Sequence, residues 1–164
     1  MMTLLQAHSL NAVAQFQPES QPLNLAERAS TSSIVVGPAA PEIAEGDWIR
    51  DDTEPGAGIV WRVKTVEDNF DNETRTIQLE HIINTLRDTL VFGEVKPSDM
   101  GGSTNCTAVQ AITYMLARQS DWVLGTCDYN VSHPYNFSSD YIYDALETVS
   151  SSLPDCWLEY DMTS

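Results

Sequence analysis

Basic residues are scarce in this 164-residue chain: 8 Lys and Arg stand against 24 Asp and Glu, a net charge of −16. After Arg118 neither Lys nor Arg occurs again, while Asp121, Asp128, Asp140, Asp144, Glu147, Asp155, Glu159 and Asp161 remain. Gripping phosphate needs basic patches that release counterions, so this balance argues against a nucleic-acid partner. An acidic end of this kind is either a solvated surface or one that faces a basic partner or cations. Cysteine is sparse too. Cys106, Cys127 and Cys156 are odd in number and lack CxxC spacing, which argues against a disulfide framework and a zinc site. They read as buried thiols. Long apolar runs are missing, so no membrane span is expected. Met1 to Val13 also lacks the basic start of a secretory signal.

What is present is a change of texture along the chain. Residues 1–42 read as an extended arm or a partly ordered strand segment. Gln15 to Ala29 is rich in Gln, Pro, Glu and Ser, and Gly37-Pro38-Ala39-Ala40-Pro41 resists helix and strand alike. Between them Thr31 to Val36 can form a strand, whereas for Met1 to Phe16 periodicity leaves strand and arm both open.

Residues 43–164 read as an α+β domain. Strands are expected at Gly46 to Arg50, a short apolar run leading into a turn, and at Ile59 to Val66 and Thr74 to Leu79, where residues alternate with a period of two. Together they make a small antiparallel β-barrel or sheet carrying two or three packed helices. One helix runs from a Ser103 or Thr104 cap through Ala108, Ile112, Met115 and Leu116 to Gln119. Another, capped by Ser138 or Ser139, carries Ile142, Ala145, Leu146 and Val149 on one face. Trp122 to Thr126 and Cys156 to Met162 alternate as strands do. The chain thus ends within a strand-like pattern, which reads as a fragment of a longer protein.

The hydrophobic period changes at Glu80-His81. Before it the period is two; after it Ile82, Ile83, Leu86 and Leu90 form a helical stripe. A carboxylate beside an imidazole suggests acid–base chemistry, but sequence neighbours diverge on strand and helix alike. Glu80 and His81 therefore read as a packing junction, with His81 bonding a backbone group at the corner. No catalytic, cofactor-binding or metal-binding residue is expected. Gly101-Gly102-Ser103-Thr104 lacks a Walker lysine. Asp47, Asp51, Asp52 and Glu54, and likewise Glu67, Asp68, Asp71 and Glu73, miss the EF-hand spacing. Tyr135, Phe137, Tyr141 and Tyr143 exceed what one helix face can bury, and form a candidate subunit interface.

Several of these segments together resemble the N-terminal region of the tail-hub, or baseplate-hub, proteins of long-tailed bacteriophages. They are Gly46-Asp47-Trp48-Ile49, Gly58 to Val63, Thr76 to His81 with Leu86-Arg87-Asp88, Trp122 to Gly125 with Asp128-Tyr129, Asp140 to Leu146, and Trp157 to Tyr160. The resemblance implies a non-enzymatic virion protein at the tail tip, made in the bacterial cytoplasm. It also implies a homotrimeric ring whose partners are distal tail and tape-measure proteins, with no cofactor. Two alternatives stand beside it: a cell-wall hydrolase or peptidase fragment using His81 or Cys106, and an acidic adaptor or binding module.

Overall fold

The computed structural model describes residues 1–20, 31–52, 58–94, 105–129 and 131–162. It is an α+β protein, mostly antiparallel sheet, in two units: Met1–Ile82 with Asp161–Ser164, and Ile83–Tyr160.

The first unit contains β1 (Met2–Leu5), β2 (Ala12–Phe16), β3 (Thr31–Val36), β4 (Trp48–Asp51), β5 (Ile59–Asn69) and β6 (Thr74–His81). They form one six-stranded sheet in the order β2-β1-β4-β5-β6-β3, with every neighbour antiparallel. Strands β1, β2 and β3 thus share a sheet with β4 to β6, and the two compact units divide after Ile82. The four residues of β1 are all buried, which is why no two-residue alternation marks that strand.

By its ladder the sheet is open, with β2 and β3 as edges. It is nevertheless strongly curled. The Glu19 amide donates to Val35 O at 2.8 Å, and Ser20 bridges Val35 on β3. Phe16, the end of the opposite edge strand, lies only three residues earlier, a reach of about 10 Å. Flat, six strands would hold their edges about 24 Å apart. Two bulges assist the curl: one leaves Lys64 unpaired between Val63 and Thr65, and the other lies between Leu4 and Leu5 of β1. One hydrophobic cluster gathers side chains from the whole sheet. It joins Met2, Leu4, Phe16, Ile34, Val36, Ile49, Trp61, Val63, Ile77 and Leu79, so all six strands contribute. Gly46 enters β4 through a turn at φ +89°, a backbone that side chains with a Cβ rarely adopt.

Past Val63 the β5–β6 hairpin leaves this core. Lys64 to Asn69 is exposed apart from half-buried Val66, and so are residues 70–73 at the turn. The expected helix after His81 is a single 3-10 stretch, Ile82–Arg87. Leu90 belongs instead to a strand, because Asn84 and Thr85 are poor helix formers and the run is too short to sustain α geometry.

The second unit pairs β7 (Leu90–Glu94) with β10 (Asn136–Tyr141), and β8 (Asn105–Thr107) with β9 (Ser132–Pro134). Helices α1 (Ala108–Leu116) and α2 (Ile142–Ser151) supply most of its core. Ala108, Ala111, Ile112, Met115 and Leu116 are the buried side of α1; Ile142, Ala145, Leu146 and Val149 are that of α2. Thr107 caps α1 in a reciprocal capping box with Gln110. The expected caps Ser103 and Thr104 lie outside the described residues. Ser139 is in β10 rather than capping α2, whose N-cap is Tyr141 without a side-chain bond. Residues 122–126 and 156–162 form no ladder and so are not strands.

Candidate functional site

The Glu80-His81 pair sits at the end of β6, and the strand's alternation sends the two side chains to opposite faces. Register explains what each meets. His81 lies opposite Trp61 on β5, and Glu80 lies opposite Arg62. Arg62 Nε donates to Glu80 Oε1 at 2.5 Å, and its terminal Nη2 also reaches that oxygen. Lys64, left unpaired by the bulge, brings Nζ to 3.4 Å from Glu80 Oε2. Both carboxylate oxygens are thus held by cations, with only 11% of the side chain exposed. A carboxylate so engaged acts as a cross-strand strut.

His81 packs edge-on against Trp61, with ring centroids 5.5 Å apart. Burial pushes its pKa below the ordinary value of 6.5, so the neutral ring is favoured. Glu80 and His81 therefore do not share a proton: one is tied to Arg62 and Lys64, the other is set against an indole.

The remaining candidates separate in the same manner. Cys106 is fully buried, and its thiol is pushed up by burial, the opposite of an activated nucleophile. Its register partner on β9 is His133, whose Nδ1 lies 2.9 Å from Pro134 O. His81 and Cys106 belong to different units. Cys127 and Cys156 are free and partly buried against the second core. His8 leans on the ring of Trp48 at 5.7 Å.

Of the first acidic group, Asp47 accepts the Ala44 amide at 2.8 Å, as turn chemistry requires. Burial raises the Asp52 pKa, but hydrogen bonds from Thr3 and Arg50 outweigh it and hold the carboxyl below its usual value. Glu54 and the Gly101 to Thr104 loop lie outside the described residues. The second group, Glu67, Asp68, Asp71 and Glu73, surrounds the projecting hairpin. There Glu67, Asp68, Asn69, Phe70, Asp71 and Thr76 line an open hollow of about 410 Å³. Among the described residues, no three His, Cys, Asp or Glu side chains are grouped to hold a metal ion.

The candidate interface aromatics divide between core and surface. Tyr135 and Phe137 are interior, 4% and 2% exposed, so neither has a face to offer a partner subunit. Tyr141 is exposed, while Tyr143 is covered by the Arg87 guanidinium, 4.3 Å from its ring centre. Tyr143 also stacks on Tyr160, which meets Trp122 edge-on. This row is invisible to local pattern, because its members come from four separate segments. Burial, then Glu147 and Tyr143, push the Tyr160 phenol far above its ordinary value. Large exposed apolar groups lie elsewhere, at Phe70, Val123 and Trp157.

No family model, curated protein or solved structure matches this chain.

Proposed function

We propose that this chain is a structural assembly module, a barrel-type component of a phage tail tip or baseplate hub, working through oligomerisation and contact with neighbouring tail proteins. The observation that carries this reading is the β5–β6 hairpin. It runs past the core and presents Phe70, 87% exposed, among four carboxylates. An exposed aromatic at the end of a two-stranded projection is well shaped to enter a partner's pocket. The curled six-stranded sheet supports the barrel-type description, since its two edges approach each other through residues 17–20.

Native mass spectrometry and sedimentation of the full chain test the reading. A trimer is expected, favoured by added salt that screens the acidic subunits from one another. Phe70→Ser is expected to weaken association while leaving the unfolding midpoint unchanged, because the ring supports no core. A chain that stays monomeric at about 100 µM across salt concentrations, with Phe70→Ser indistinguishable from it, would leave an adaptor as the better description.

A further inference from the structure

Along Cys156 to Tyr160 burial alternates, so that the segment is docked by every second side chain. Cys156, Leu158 and Tyr160 are partly buried and pack on the second unit's core, whereas Trp157 and Glu159 are exposed. Trp157 is 80% exposed, the largest side chain so displayed in that unit. This is the side-chain alternation of a strand at the margin of a sheet. The backbone, however, has no ladder. Among the described residues, no backbone–backbone hydrogen bond involves residues 157–160, and the nearest support is Ser150 Oγ donating to Cys156 O at 3.3 Å. A segment held by alternate side chains, whose backbone joins no ladder among the described residues, has already met part of the ordering cost of accepting a strand.

Charge decides what that strand would carry. From residue 119 to the end there is no Lys or Arg, and Asp155 and Glu159 flank Trp157. A second copy of this segment would oppose carboxylate to carboxylate, which is unfavourable across a strand pair. We propose that residues 156–160 form a strand-acceptor site for an extended, basic segment of a partner protein. An apolar side chain of that segment lies against Trp157 and a Lys or Arg lies opposite Glu159. This surface is separate from the Phe70 hairpin, and the proposal stands or falls independently of the trimer.

The test uses the full ¹⁵N-labelled chain and three synthetic peptides. The probe is acetyl-Thr-Lys-Thr-Val-Thr-Lys-Thr-amide; one control replaces Lys by Glu, and another replaces each internal Thr by Pro to remove strand hydrogen bonding. With the Lys peptide at roughly ten times its dissociation constant, solvent exchange of the alternate amides among 157–160 that face the peptide is expected to slow about tenfold, by mass action. The effect should fade as salt rises. Trp157→Ser, at a position that supports no core, should weaken binding about tenfold or more while leaving the fold's spectrum intact. Three results would overturn the proposal: no protection at about 5 mM Lys peptide, which is weaker than any useful affinity; equal protection by the Glu or Pro peptide; or protection of these amides through self-association of the chain alone.

Discussion

Replacing Glu80 by Gln preserves the shape of the cross-strand strut and removes its charge. The Arg62 and Glu80 side chains are 19% and 11% exposed, so the pair is mostly withdrawn from water. Two charges about 4 Å apart near a protein surface attract by roughly 4 kcal/mol. Removing one member of a fully buried pair costs about 3–5 kcal/mol, because the other is stranded. Exposed pairs are worth about 0.2–1 kcal/mol. Partial exposure, and a neutral amide that still accepts from Arg62, place Glu80→Gln between these limits, at about 2–3 kcal/mol. For a unit of this size, that lowers the unfolding midpoint by about 10–20 °C. Urea unfolding should be measured for Glu80→Gln, Arg62→Met and the double variant. Arg62 has further interactions, so its single substitution costs more than the pair alone, and the cycle cancels that excess. A coupling energy of about 1.5–2.5 kcal/mol is expected. Coupling under about 0.5 kcal/mol would show that the pair behaves as an exposed one, and the strut argument would be wrong.

Acid should weaken the first unit through His81. Its folded pKa lies below the unfolded 6.5, so the unfolded chain takes up a proton first as pH falls. Stability is full above about 6.5, declines as pH falls towards the folded value, and levels off once both states are protonated. His81→Leu should flatten that part of a urea-midpoint profile taken between about pH 7.5 and 5. At lower pH, Asp52 contributes in the carboxylate manner: its stabilisation is present above the unfolded 3.8 and is lost through the depressed folded value. Asp52→Asn should shift the acid-unfolding curve accordingly. Thr107→Ala removes the α1 capping box and should cost about 1 kcal/mol, most of it restored by Thr107→Ser. Met115→Ala opens the second core at a fully buried position and should cost about 2–4 kcal/mol in denaturant titration.

The strands β3, β5 and β6 could be read locally because residues alternate along them between turns, and β4, buried at three of its four positions, because an apolar run there meets a turn signal. Thr31–Val36 has its expected limits, and the others differ only at their ends. The same holds for α2, whose Ile142, Ala145, Leu146 and Val149 face is the buried one. Met1 to Phe16 was ambiguous for a physical reason: a strand buried throughout carries no alternation, and β1 is such a strand. The second unit's ladders were harder still. They are short and join residues far apart in sequence, and β9 includes Pro134, which reads as loop by itself.

The candidate site was legible only as far as side-chain direction goes. That Glu80 and His81 diverge follows from adjacency. That Glu80 is held by both Arg62 and Lys64 depends on cross-strand register and on one bulged residue, neither of which is encoded in a neighbouring pattern. Residues 156–160 make the complementary case. Their alternation correctly marks an extended segment with one face packed, yet alternation is a property of one chain, while a strand is a property of two. A period-two signal therefore specifies burial and leaves pairing undetermined. At Trp157 the distinction matters, because side chains there alternate as in a sheet while the backbone, among the described residues, joins no ladder.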